Sequence, residues 1–203
     1  MVVFRGMTVK EYTRHYMSFQ LLYAFHQTPF GKCLIAVTSP GKTYVAYLTF
    51  VDDDDVAALR DLKLKWPCTQ TSKDIINKTN AVVAKIFHPA GPQLHSIRVL
   101  MKGSEFQIKV WRALTRIPKG AVTAYEGVAW MAGNPRAAIA VGDAVSKNYV
   151  GYVVPCHRVG PKNVNRVTKF AWGLERKTAI LEYEKQLYGP LVSMLGEQLL
   201  RLN

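Results

Sequence analysis

The stretch YEGVAWMAGNPRAAIAVGDAVSK, residues 125–147, decides how the second half of this 203-residue chain is read. Tyr125–Ala132 reads as a short helix, and Gly133 supplies the left-handed conformation on which helices commonly end. Asn134 is a good N-cap residue and Pro135 a good first-turn residue, which predicts a second helix through about Lys147. Two short helices around a glycine turn have the form of a helix-turn-helix, although helical hairpins in general share it. The second helix is built from small side chains, Ala137, Ala138, Ala140, Val141, Gly142 and Ala144. They permit close approach to another helix or to a DNA groove, and both uses can hold on opposite faces.

Upstream, Ser104-Glu105-Phe106-Gln107 has the Ser-x-x-Gln form of a capping box and predicts a helix through about Thr115, ended by Ile117-Pro118-Lys119-Gly120. The first half reads differently. Ser18–Gln27, Cys33–Thr38 and Thr43–Val51 are β-rich runs separated by the turn signals Thr28-Pro29-Phe30-Gly31 and Ser39-Pro40-Gly41-Lys42. Asp52–Asp55 place acids before a helix at Val56–Trp66, where the macrodipole favours them. A metal site made of these four is disfavoured, because adjacent side chains point in different directions. Asp74–Phe87 carries a helical apolar stripe, His88–Pro92 reads as a linker, and Ile97–Met101 as one more strand. The fold class expected is α/β (α+β). Residues 1–92 form a small N-terminal α+β domain with an antiparallel sheet, and 93–103 a linker and last strand. Residues 104–188 form a helical winged or helix-turn-helix DNA-binding domain carrying the active site, and 189–203 a helical tail. The leucines at 187, 191, 195, 199 and 202 give that tail amphipathic spacing, interrupted by Gly189-Pro190.

Charge points the same way. Residues 1–95 hold 11 Lys+Arg against 7 Asp+Glu, whereas 96–188 hold 15 against 6, within a total of +13. An excess concentrated in one half fits a polyanionic partner, most often nucleic acid. Charge by itself does not separate this from a basic protein without such a partner. No run approaches the roughly 18 apolar residues of a membrane span, and Met1–Lys10 lacks the pattern of an export signal. Three cysteines, Cys33, Cys68 and Cys156, are an odd number without paired spacing, which implies a reducing compartment and a free thiol. Zinc is not expected: Cys33, Cys68, His26, His88 and His95 show no Cys-x-x-Cys or His-x-x-x-His spacing.

The chemistry centres on Val153-Val154-Pro155-Cys156-His157-Arg158-Val159. A buried cysteine is usually a small hydrophobe. Here His157 and Arg158 put polarity and positive charge beside the sulfur, which favours the nucleophilic thiolate. Pro155-Cys156-His157-Arg158-Val159 resembles the signature of the O6-alkylguanine-DNA alkyltransferases, the methylated-DNA–protein-cysteine methyltransferase family. The likeness continues through Phe106-Gln107-x-x-Val110-Trp111-x-x-Leu114-x-x-Ile117-Pro118-x-Gly120, Tyr125, Gly133-Asn134-Pro135, Asn148, Trp172-Gly173-Leu174-x-Arg176-Lys177 and Glu184. Pro29-Phe30-Gly31-Lys32-Cys33-Leu34 is similar to that family's first hairpin, and the whole resemblance covers about residues 17–185.

The resemblance implies direct reversal of DNA damage: one irreversible transfer of a methyl or alkyl group from O6-alkylguanine, and from O4-alkylthymine, to Cys156. It implies that His157 takes the thiol proton through water, that Glu184 stabilises the charged imidazole, that Tyr125 donates a proton to the leaving guanine, and that Asn148 ties the recognition helix to the reactive turn. The backbone carbonyls of Cys156 and Val159 read the exocyclic amine. DNA or substrate contacts are implied at Arg136, Ala138, Ile139, Gly142, Arg158, Val159, Trp172 and Gly173. Ile139 stands where the family commonly has an arginine that replaces the flipped base, so it offers an apolar wedge without hydrogen bonds. Gly160-Pro161-Lys162-Asn163-Val164-Asn165 departs from the family, which usually has a glycine-rich hairpin there. No cofactor and no metal are expected; the partner is double-stranded DNA containing alkylated guanine, met by a monomer away from membranes. The compartment is the cytoplasm and nucleoid of a prokaryote, or the nucleus of a eukaryote. Two other readings compete. A non-reacting damage sensor of similar fold lacks the acceptor cysteine, which Cys156 argues against. A sequence-reading regulator needs hydrogen-bonding side chains, of which the Ala-, Val- and Gly-rich helix offers few.

Overall fold

The computed structural model describes residues 1–87, 96–162 and 170–200, with side chains through 189. The apolar runs of the first half assemble into a six-stranded sheet, ordered β1 (Val2–Thr8), β6 (Ile97–Gly103), β4 (Val45–Phe50), β3 (Gly31–Ser39), β2 (Gln20–Thr28) and β5 (Thr71–Lys73). Central β3 is buried from Cys33 to Thr38, which explains its unbroken apolar run: a strand covered on both faces has no polar side to alternate with. The antiparallel sheet expected from sequence is found only at β2–β3 and β3–β4. The pairs β1–β6, β4–β6 and β2–β5 are parallel, so the sheet is mixed. Parallel neighbours need crossovers, and α2 (Asp55–Lys65) and α3 (Lys78–Phe87) lie on the path from β4 to β6. The strand β1 and helix α1 (Val9–His15) were not predicted, because Arg5 and Gly6 interrupt a run too short to read.

Helix starts follow their capping groups. Asp54 caps α2 by accepting the Ala57 N–H at 2.7 Å, the place expected for the acidic run. Helix α3 begins later than the apolar stripe suggests, since the Asp74 carboxylate accepts the N–H groups of Ile76 and Thr79 in a turn that leaves Ile75 and Ile76 exposed. Helix α4 (Glu105–Leu114) opens with the full Ser104/Gln107 capping box. The pair α5 (Tyr125–Met131) and α6 (Ala138–Ser146) correct one expectation: Asn134 does not cap the second helix. Its amide donates back to the Ala132 carbonyl at 3.1 Å, closing the end of α5, and Ala137 occupies the cap without a side-chain bond. A last helix, α7 (Leu174–Leu200), continues through Gly189 and Pro190, where the sequence suggested an interruption. The expected linker at 88–92, residues 163–165 and Leu202 lie outside the described residues, as do the side chains of Leu191, Leu195 and Leu199.

The two halves share one continuous cluster of buried side chains. Strand β4 extends it physically: the Leu48 N–H donates to the Tyr149 carbonyl at 3.0 Å and the Gly151 N–H to the Leu48 carbonyl at 2.8 Å. The loop that leads to Cys156 is thus an extra rung of the first-half sheet. Within the second half, buried Trp111 fixes α4 against α6 by donating its indole N–H to the Ala144 carbonyl at 2.8 Å, with its ring edge-on to Tyr149. Replacing Trp111 by Ala removes that volume and strands the carbonyl, and should cost about 3–5 kcal/mol. The denaturation midpoint at constant m-value reads this; a loss below about 1 kcal/mol would contradict the placement of Trp111 in the core.

Candidate active site

Cys156 opens a single 3-10 turn, Cys156–Arg158, and is 8% exposed at its mouth. Pro155 precedes the turn, and the Cys156 and Arg158 N–H groups bond the Val154 and Pro155 carbonyls at 2.9 and 3.1 Å. Asn148 follows the end of α6 and spans to this turn. Its amide donates to the Val154 carbonyl at 2.8 Å and to the Cys156 sulfur at 3.1 Å, while its oxygen accepts the Val150 N–H at 3.0 Å. One side chain, just beyond α6, therefore ties the loop and the sulfur together.

Behind the sulfur lies a buried charge network. His157 and Glu184 are each 1% exposed. The Glu184 oxygen Oε1 meets His157 Nε2 at 3.2 Å and accepts from Arg158 Nη2 at 2.5 Å; Oε2 accepts from Arg158 Nε at 2.8 Å and from the Gly120 N–H at 3.3 Å. Arg158 Nη1 completes the set on the Ile117 carbonyl at 2.7 Å. The segment Ile117-Pro118-Lys119-Gly120 is thus the backbone cradle of the Arg158–Glu184 pair. His157 Nδ1 is buried without a hydrogen-bond partner among the described residues.

Burial pushes the Glu184 carboxyl up, but hydrogen bonds from His157 and Arg158, with the guanidinium charge, outweigh it and hold the group at about 2. His157 is pushed down by burial, opposed by Glu184 and reinforced by Arg158 and Lys177. The Cys156 thiol is pushed up by burial, against the Asn148 hydrogen bond and the Lys177 charge. The resting pair is a neutral thiol and a neutral imidazole. This corrects the expectation that Arg158 favours thiolate beside the sulfur: its guanidinium is committed to Glu184 and Ile117. The cation that acts on the sulfur is Lys177, whose ammonium donates to the Val159 carbonyl at 2.9 Å. Sequence reading assigned Lys177 no role, although it closes the Trp172–Lys177 motif. Cys33 is the contrast, with burial pushing its thiol up to about 12 against a backbone hydrogen bond from His26.

Strand β7 (Thr123–Ala124) pairs with β8 (Val159–Gly160), which brings Tyr125 beside the segment after Cys156. Tyr125 is half-buried, and a Cβ on Gly142 would stand 3.9 Å from its ring. Arg136 and Ile139 lie exposed at the start of α6, Ile139 at 95%, with Ala138 half-buried between them. Arg158 is buried in its ion pair with Glu184. Val159 is buried. Trp172 is half-buried and donates to the Thr49 hydroxyl at 2.6 Å, a brace between the halves, and Gly173 takes the left-handed turn (φ 88°) before α7.

A family model described as "6-O-methylguanine DNA methyltransferase, DNA binding domain" matches residues 105–186. The "Probable methylated-DNA--protein-cysteine methyltransferase" of Acanthamoeba polyphaga mimivirus is 36% identical over 102 residues, covering 50% of this chain and 67% of the relative. The "Bifunctional transcriptional activator/DNA repair enzyme Ada" of Escherichia coli is 27% identical over 184 residues, 89% of this chain and 50% of the relative. The chain spans about half the length of the first curated relatives it matches. Among solved structures, the Mycobacterium tuberculosis OGT in complex with DNA superposes with a TM-score of 0.60 at 26% identity, over 81% of this chain and 92% of that one.

The pH dependence of stability follows from these shifts. His157, depressed by burial, contributes stability that is present above its unfolded pKa near 6.5 and lost as pH falls below it. Glu184, also depressed, contributes stability present above about 4.5 and lost as pH falls towards about 2. The melting temperature should therefore fall on acidification in two stages, and Glu184→Gln should flatten the lower one. A melting temperature independent of pH between about 6 and 3 would contradict the buried network.

Proposed function

The chain belongs to the 6-O-methylguanine DNA methyltransferase family, and on that premise we propose that it repairs alkylated DNA by taking the alkyl group onto Cys156. The observation that carries the reading is the buried Cys156, bonded by Asn148, next in the same turn to a buried imidazole whose Nε2 faces Glu184. With Nε2 turned to the carboxylate, Nδ1 is the basic position left for the thiol proton.

The proposed step is a displacement at the alkyl carbon. A bond forms between Sγ and that carbon as the bond to guanine O6 breaks, and its electron pair passes into the base. The thiol proton passes through water to His157 Nδ1, where Glu184 favours the imidazolium, and Tyr125 donates a proton to the departing base. The net change moves one alkyl group to sulfur and one proton to guanine. Lys177 favours the sulfur charge that develops on the way. The product thioether has no good leaving group, so each molecule acts once. The sulfur is itself the acceptor, so the reaction needs no cofactor, and every group named comes from one chain, so a monomer suffices.

DNA is the proposed substrate: the target base would be flipped out of the stack to reach Cys156, with Arg136, just before α6, offered to phosphates and Ile139 of α6 to the base stack. An exposed isoleucine fits an apolar wedge, which leaves the partner base without hydrogen bonds.

Mass spectrometry after incubation with duplex DNA carrying O6-methylguanine should find one added methyl group on the peptide containing Cys156, absent in Cys156→Ala. An unmodified Cys156 in a protein that still binds the DNA would overturn transfer in favour of damage sensing. Ile139→Arg should speed the reaction on duplex DNA, and an unchanged rate would remove Ile139 from the flipping position.

A further inference from the structure

We infer that Tyr152 is a positioning residue for alkyl transfer, its ring held by the first half of the chain as a platform over the His157 imidazole. Three observations carry this. Tyr152 is a non-glycine residue at φ 63°, a conformation an aromatic side chain adopts only where its surroundings over-determine it. Its ring lies nearly parallel to His157, at 19° with centroids 5.9 Å apart. From the first half it meets Phe87, at 4.7 Å and 30°, and Phe30, at 5.4 Å and 35°. The last two come from the end of α3 and from the β2–β3 turn.

That turn is itself pinned to the second half. Arg176 donates from Nε to the Phe30 carbonyl at 2.8 Å, from Nη1 to the Trp172 carbonyl at 2.6 Å and from Nη2 to Asp52 at 2.5 Å. Phe30 also packs edge-on to Tyr183 of α7. The hairpin tip, Tyr152 and His157 therefore form one aromatic stack from the sheet to the reactive turn. This gives the first half a part in the chemistry, although the groups proposed to meet the reacting atoms all come from the second half.

The consequence is electrostatic as well as steric. When His157 takes the thiol proton it becomes a buried cation. The charged groups acting on it are Glu184, which favours that state, and Arg158 and Lys177, which oppose it. The face of Tyr152 adds a cation–π attraction for the imidazolium beyond the stacking it offers the neutral ring. The phenol stays protonated, since burial raises its pKa, so the face and not the hydroxyl acts.

The inference rests on the proposed transfer to Cys156, and the test separates the two. Single-turnover transfer is measured against pH at saturating methylated duplex for the wild type, Tyr152→Phe and Tyr152→Leu, together with DNA affinity. Tyr152→Leu should slow transfer about tenfold, the order expected for a desolvated cation losing its aromatic face, with the acidic limb of the rate profile moved to lower pH, because the imidazolium loses stabilisation, and affinity unchanged. Tyr152→Phe should restore rate and profile. A wild-type rate and profile in Tyr152→Leu, or a Tyr152→Phe as slow as Tyr152→Leu, would overturn the assignment. No transfer by the wild type would instead sink the reading on which it rests. Should Tyr152→Leu fail to fold, the wild type still decides: the stack requires ring-current-shifted His157 proton resonances that persist in Tyr152→Phe, and unshifted resonances would overturn it.

Discussion

Glu184 is a carboxylate in a dry interior, and its two oxygens are shared among Arg158, His157 and the Gly120 backbone. A buried charge left alone there would be prohibitively costly, and removing one partner of such a pair is far more damaging than never having built it. The arrangement therefore constrains everything around it. It demands the Ile117–Gly120 turn on one side, helix α7 on the other, and the 3-10 turn between them. Because Arg158 and His157 sit next to Cys156, the same constraint fixes where the sulfur stands.

The pair also sets the protonation of the site. Hydrogen bonds from His157 and Arg158 keep the carboxylate ionised against its burial, while burial, with Arg158 and Lys177 and against Glu184, keeps His157 neutral until a proton reaches it. The thiol rests uncharged for the same reason: the guanidinium nearest in sequence is spent elsewhere, and burial opposes the thiolate. A nucleophile kept neutral in this way reacts when substrate and base are both in place, with the proton leaving as the bond forms. An alkyl acceptor that can be used once benefits from that restraint.

Much of this was legible in the residues. The capping box at Ser104, the strands of the hairpin and the helix pair around Gly133 rest on local rules, and these hold. Cys156, His157, Asn148, Glu184 and Tyr125 were singled out from sequence, and the structure joins Asn148 to Cys156 and Glu184 to His157 around one turn. What failed to show depended on distant partners. The parallel strands follow from crossovers that no local pattern encodes, and Asn134 lay between the free carbonyls that end α5 and the free N–H groups that open α6. Arg158 looked like a charge for the sulfur or for DNA because its partner lies in α7, and Lys177 looked idle for want of the same fold. Tyr152 carried no signal, since its backbone angle and the ring beneath it exist only after the halves meet.

The account turns on a site that is uncharged at rest, with proton transfer coupled to attack. Ultraviolet absorbance of the thiolate, titrated against pH in the free protein with Cys156→Ser as the reference, tests it most directly. The account predicts no Cys156 thiolate at neutral pH, with ionisation appearing only above the ordinary cysteine pKa of about 8.5. A thiolate already formed at neutral pH would contradict it, and would mean that a charge other than the committed Arg158 governs the sulfur.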